Sequence, residues 1–198
     1  GIGLIHQFVG ELGLAAAIDS RLKLFKFHLP YHESDHVLSL AYNALCDGTC
    51  LQDLELRRQD ENFLDALGAR RIPDPTTAGD FCRRFNRETL DTLQDVFDDT
   101  RRQAWATQPH AFFERATIDM DGTLIETTGA CKAGMDIAYQ GTWGYHPLVL
   151  SVAETGEVLR LVNRSGNRPS HEGAAVEVDR SVWLCFQAGF RLIVLRGD

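Results

Sequence analysis

The sequence predicts an α/β protein with a helical N-terminal region, and three observations predict it. Apolar residues recur at three- and four-residue steps up to about residue 111. From about residue 112 the pattern turns to short apolar runs bounded by turn residues. One amphipathic helix then stands between the third and fourth of those runs, giving the order strand, strand, strand, helix, strand.

The helical region, residues 1–111, reads in steps. Ile2, Ile5, Phe8, Val9, Leu12 and Ala15 predict one amphipathic helix fading near Asp19 and Ser20. Pro30 and a polar His-Glu-Ser-Asp stretch introduce a second, carried by Val37, Leu38, Leu40, Ala41, Ala44 and Leu45 and stopping near Gly48. Leu51, Leu54, Phe63, Leu64 and Leu67 support one or two further segments before Gly68. A connector with two prolines leads to a helix opening at Thr76 or Thr77, and Leu90, Leu93, Val96 and Phe97 form the stripe of the next.

In residues 112–198 the first strand is Ala116–Asp121, followed by an irregular insert. Pro147–Val152 and Val158–Val162 are the next two strands, with Glu154-Thr155-Gly156-Glu157 as a tight hairpin turn. Ser170 is the expected N-cap of a helix over Ala174–Phe186 that ends at Gly189, and Arg191–Leu195 is the last strand. Two antiparallel connections make the third strand parallel to the first, and a right-handed helical crossover returns the fourth parallel to both. With the fourth strand beside the first, Asp121 and Asp198 share a carboxyl edge, where open α/β sheets build their sites. Two converging carboxylates require a cation, and Mg²⁺ or Mn²⁺ suits oxygen ligands. Asp119 shares a strand face with Asp121, so alternation does not choose between them.

Composition narrows the classes. With 198 residues, 44% of them hydrophobic, the chain can build one ordinary domain or two small ones. No apolar run approaches the roughly 18 residues of a spanning helix, and the start lacks the basic and small-residue features of a signal peptide. Five cysteines at irregular spacing make no disulfide framework, which predicts a reducing, cytoplasmic setting. The net charge of −8, with both halves acidic, argues by itself against nucleic-acid binding. The absence of an initiator Met and the stop on Asp198, straight after an apolar strand, suggest a fragment.

Two motifs compete with that site. His32-Glu33-Ser34-Asp35-His36 matches the zinc-protease helix spacing, but it lies at a helix start where Glu, Ser and Asp are ordinary capping residues, so capping is the expectation. Ile118-Asp119-Met120-Asp121-Gly122-Thr123-Leu124 resembles the opening signature of haloacid-dehalogenase-type phosphatases. That resemblance would make Asp119 a nucleophile and Asp121 a general acid beside Mg²⁺. The family's downstream Lys has no counterpart, because no Lys follows Lys132.

A second resemblance uses more of the chain. Asp-Gly-Thr after the first strand, Gly-Tyr-His-Pro-Leu at residues 144–148 and Leu-Arg-Gly-Asp at 195–198 resemble, in order and spacing, insertion-sequence DDE transposases of bacteria, specifically DDE group 1. Asp-Pro-Thr-Thr-Ala-Gly-Asp-Phe at 74–81 resembles that group's segment ahead of the catalytic domain. The resemblance implies a ribonuclease-H-like fold, of which residues 112–198 would be the front half. Asp121 and Asp198 would then be catalytic metal ligands, supported by Asp119. Two Mg²⁺ or Mn²⁺ ions, about 3.5–4 Å apart in such sites, would activate the nucleophile and stabilise the leaving oxygen at a phosphodiester. DNA, at the terminal repeats of an insertion sequence, would be the partner, and the full-length protein would form a homo-oligomer associated with the nucleoid. No third carboxylate follows Asp198, so the chain alone is expected to be inactive, and an inactive remnant that binds DNA or an intact transposase is the remaining alternative. Arg83 and Arg84 after the proline connector, with Arg164 and Arg168 beyond the third strand, are the candidate DNA-backbone contacts.

Overall fold

The computed structural model describes residues 1–27, 30–128, 132–169 and 171–197. The chain divides into two compact units, Gly1–Ala104 and Trp105–Asp198.

The first unit is helical. The predicted first helix is two, α1 (Ile2–Glu11) and α2 (Leu14–Arg21), bent by 60° at the break. Gly13 sits between them at φ 65°, a left-handed conformation that interrupts the apolar stripe without disturbing its spacing. α3 (Glu33–Leu45) is followed by the short α4 (Leu54–Arg58) and α5 (Glu61–Ala66). α6 (Pro75–Cys82) opens one residue before the first of the expected threonines. Asp74 is its N-cap, accepting from the Thr77 backbone N–H at 3.0 Å, and Pro75 takes the first helical position, where its missing N–H costs nothing. α7 (Arg87–Trp105) follows. One cluster gathers Leu38, Tyr42, Leu54, Phe63, Ile72 and Ala78, and a second gathers Ile18, Leu22, Phe81 and Val96. No single helix among the described residues is long and apolar enough to cross a membrane.

The second unit is built on a four-stranded mixed sheet. β1 (Arg115–Gly122) leads to an insert that the sequence shows only as irregular. Structurally the insert holds three short strands, β2 (Ile125–Glu126), β3 (Asp136–Ile137) and β4 (Trp143–Tyr145), paired in the order β2-β4-β3. Strands of two and three residues are too short to show alternation. β5 (Leu148–Val152) and β6 (Glu157–Val162) form the expected hairpin, α8 (Ala174–Ala188) ends at Gly189, and β7 (Leu192–Gly197) closes the sheet. Ser170, the expected cap of α8, lies outside the described residues, and Gly173 holds the N-cap position.

The main sheet runs β6-β5-β1-β7, with β1 antiparallel to β5 and parallel to β7. Its core face carries Ala116, Ile118, Leu148, Leu150 and Val152, packed with Leu184, Cys185 and Phe190. A register shift near Leu150 lets Leu159 and Arg160 of β6 both be buried. The buried Arg160 guanidinium then meets buried Glu177 of α8 at 3.8 Å. At the opposite end of β1, Glu154 of the hairpin accepts from the Thr117 backbone N–H (2.8 Å) and hydroxyl (2.7 Å), which fixes the start of the strand.

Candidate active site

Alternation along β1 turns Ala116, Ile118 and Met120 to the core and Thr117, Asp119 and Asp121 to the other face. The two aspartates that alternation cannot separate differ sharply in what they touch. Asp119 stands opposite Arg196 in the parallel β1–β7 ladder. Arg196 donates Nε to one Asp119 oxygen and Nη2 to the other, each at 2.6 Å, a bidentate pair. The guanidinium beside it holds the Asp119 carboxyl below the usual carboxylate range and raises Arg196 in turn. Asp121 is exposed one turn of alternation further along, and among the described residues it has no hydrogen-bond or ion-pair partner.

Past Asp121 the chain leaves the sheet at Gly122, where the Thr123 N–H donates to Pro147 O at 3.1 Å. Asp198, the second expected ligand, lies outside the described residues. Its predecessor Gly197 pairs with Met120, the predecessor of Asp121. Among the described residues no group of three or more His, Cys, Asp or Glu is gathered for a metal. The chemistry of the uncommitted donor still fits a hard cation: an exposed carboxylate at a strand end can offer both oxygens to Mg²⁺ or Mn²⁺. The Asp119 oxygens are already bonded to a guanidinium.

The four expected DNA-contacting arginines are variously committed. Arg83 caps the end of α6, which closes at Cys82, and it is exposed in an ion pair with Asp80 at 2.6 Å. The Arg84 guanidinium lies over the Phe25 ring, 5.1 Å from its centroid. Arg164 donates to the carbonyls of His146, Pro169 and Glu172 at 3.0, 3.1 and 2.9 Å, and burial lowers its pKa. It acts as a staple for the loop after β6. Arg168 is exposed and pairs with Glu172 at 2.7 Å.

The zinc-like pentapeptide is structural. Asp35 accepts from the His32 N–H at 2.8 Å at the start of α3, and Glu33 reaches back to accept from the Leu24 and Phe25 N–H groups at 2.9 and 3.0 Å. His36 is buried and stacked on Phe81, ring centroids 4.5 Å apart.

A cleft of about 480 Å³ opens beside the carboxyl end of β1, lined by residues that include Gly122, Tyr139, Gln140, His146, Asn167 and Arg168. Periodicity gives no reason to single out His146. Its place becomes visible only through the fold, where Nδ1 lies 2.8 Å from the Arg168 carbonyl oxygen.

A mixed sheet whose strand β1, parallel to the edge strand β7, carries an uncommitted carboxylate at its carboxyl end is an α/β unit with a candidate site at that end. The chain belongs to the DDE transposases: across residues 1–198 it matches the family described as Transposase DDE domain group 1. Among curated proteins and among solved structures nothing matches it. The family implies DNA as the partner and a divalent metal as cofactor. The phosphatase resemblance has no such support, and the geometry disfavours it, since its nucleophile would be Asp119, both of whose oxygens are held by Arg196.

Proposed function

We propose that this chain supplies the first two acids of a ribonuclease-H-like DDE catalytic centre, Asp121 and Asp198, which bind Mg²⁺ or Mn²⁺ for cutting and joining DNA strands at the ends of an insertion sequence. The observation that carries the reading is the division of labour on β1, with Asp119 neutralised by Arg196 and Asp121 left open. The β6-β5-β1-β7 order, with a helical crossover before β7, is the arrangement such a core requires. Asp121 and Asp198 follow Met120 and Gly197, which are paired residues of neighbouring parallel strands, and such strands are about 4.8 Å apart. When bound, the metal would activate a water or a 3′-hydroxyl and stabilise the leaving oxygen. Asp119 is a positioning residue: its pair with Arg196 joins β7 to β1 next to the ligand-bearing end. Arg83, Arg84, Arg164 and Arg168 are proposed as the basic groups nearest the DNA backbone, with Arg83, Arg84 and Arg168 exposed and Arg164 half-buried.

The test is a Mn²⁺ titration of the full chain followed by electron paramagnetic resonance. Asp121→Asn should weaken binding by at least about tenfold, the loss of one charged oxygen ligand, while Asp119→Asn leaves it largely intact. Unchanged Mn²⁺ affinity in Asp121→Asn would sink the assignment. So would phosphate release from an aryl phosphate that disappears in Asp119→Asn.

A further inference from the structure

The cleft beside β1 is walled by the small insert sheet on one side and the loop after β6 on the other. Tyr145 bridges to Ser165 between them, and the His146 N–H donates to Arg164 O at 2.9 Å. The walls are tightly joined at Gly166, where a Cβ would fall 2.5 Å from Asp136 O and 2.7 Å from Gly144 O, so only glycine fits. Asn167 donates to Asp136 at 2.5 Å, and Arg168 is braced by Glu172. The cavity is therefore pre-formed rather than a gap between loose loops. Its volume of about 480 Å³ is within the usual range for a small-ligand pocket.

Two of its lining side chains are presented in ways that packing does not require. A carbonyl oxygen only accepts, so the 2.8 Å contact with Arg168 O fixes the proton on Nδ1 of His146. That leaves Nε2, which has no partner among the described residues, as the free polar atom of a ring that lines the cleft. Tyr139 is 94% exposed, at the turn that follows β3, and packs into no core. An aromatic ring held in water beside a polar cleft is the arrangement that stacks on nucleobases.

We infer that this cleft is a subsite for one unpaired nucleotide of the DNA strand, with His146 Nε2 accepting from an N–H on the edge of its base and the Tyr139 ring stacking on that base. The inference rests on the transposase reading and adds a binding residue pair outside the acidic centre. With its proton held on Nδ1 by Arg168 O, His146 presents Nε2 as an acceptor, which the exocyclic amino or ring N–H of a nucleobase can meet. The two ring nitrogens thus have separable duties, one to the fold and one to the ligand.

That separation supplies the test. His146→Asn keeps an amide donor near the Nδ1 position and removes Nε2. Tyr139→Phe keeps the ring, and Tyr139→Ala removes it. Binding of the full chain to a labelled single-stranded oligonucleotide, the same sequence as a duplex, and inorganic phosphate is followed by fluorescence anisotropy and by the His146 Nε2 resonance. The single strand should shift that resonance, and His146→Asn and Tyr139→Ala should each weaken its binding at least about fivefold. Tyr139→Phe should bind as the parent, and the melting temperature of His146→Asn should stay unchanged. Parental affinity in both His146→Asn and Tyr139→Ala would overturn the subsite, with duplex binding by the parent showing that the transposase reading survives. A resonance shift by inorganic phosphate equal to that by the oligonucleotide would overturn it too, reducing the cleft to a simple anion site. No binding of any DNA by the parent chain would remove both readings.

Discussion

In the helical unit acidic side chains near helix starts are bound to backbone, whereas in the sheet unit one acid at a strand end is bound to nothing among the described residues. Asp19 accepts from the Ser34 N–H and hydroxyl, Asp53 from Thr49 and Cys50, Asp60 from Phe63, and Asp74 from Thr77. Each satisfies donors that a helix start or loop would otherwise leave open. Asp119 is likewise taken up by Arg196, and Asp121 is not. The contrast teaches that an acidic motif becomes a candidate site only where the backbone and neighbouring cations make no demand on it. His32-Glu33-Ser34-Asp35-His36 fails that test and Asp121 passes it.

The largest effects should come from the cores. Phe81 is 1% exposed and packs among rings, His36 on one side and Phe85 edge-on at 5.2 Å. Phe81→Ala should cost about 3–5 kcal/mol, since the cavity is lined by rigid rings that cannot collapse. Leu150→Ala, in the core of the sheet unit, should cost about 2–5 kcal/mol. Denaturant unfolding followed by signals local to each unit measures both. A loss under about 1 kcal/mol at Phe81 would show the aromatic stack to be loosely packed.

A smaller loss is expected at the cap. Asp74→Ala removes the acceptor for the Thr77 N–H and hydroxyl and should destabilise the first unit by about 1 kcal/mol. Asp74→Asn, which can still accept, should recover most of it. Equal losses in both would indicate that charge rather than capping carries the contribution.

Acid should separate the units further. Burial holds the His36 pKa below the ordinary imidazole value; Asp35, Glu33 and Asp74 act in the opposite sense, and Arg84 reinforces the lowering. The unfolded chain therefore takes up a proton at His36 before the folded one does. Stability of the first unit is full above the ordinary imidazole pKa and falls as pH drops below it. His36→Phe should flatten that part of the profile. An identical slope in the variant would assign the acid sensitivity elsewhere.

The legibility of the sequence follows the same physics. β1, β5, β6, α8 and β7 were readable because each has an apolar face with its own period and a bounded turn; the helical crossover gave β7 its parallel direction, while its place beside β1 was a placement that the sheet register bears out. The three-stranded insert was not readable, because strands of two or three residues carry no period. The break at Gly13 was hidden for the opposite reason, since the apolar spacing runs straight through it. At the site, the sequence supplied Asp119 and Asp121 as a pair. Their difference depends on Arg196, which is 77 residues away from Asp119 and reaches it only through sheet register. Asp198 lies outside the described residues. Arg164 was visible only as a basic residue beyond the third strand, and the three carbonyls it holds come from residues brought to it by the fold.

The smallest stability effect should be the most informative, because it compares two residues on one strand. Asp119→Asn weakens an exposed bidentate pair between β1 and β7, so the melting temperature at neutral pH should drop slightly. Because Arg196 depresses the Asp119 pKa, the pair's contribution is present above the unfolded carboxylate pKa and is lost as pH falls through the folded one. The gap between parent and Asp119→Asn should therefore close in acid. Asp121→Asn disturbs no bond among the described residues, so its melting temperature without metal should match the parent at neutral pH. Added Mn²⁺ should then raise the melting temperature of the parent and of Asp119→Asn but not of Asp121→Asn, since a ligand that binds only the folded state stabilises it. If Mn²⁺ stabilised Asp121→Asn as much as the parent, the open carboxylate at the end of β1 would not be the metal's ligand, and the contrast between the two aspartates would concern strand pairing alone.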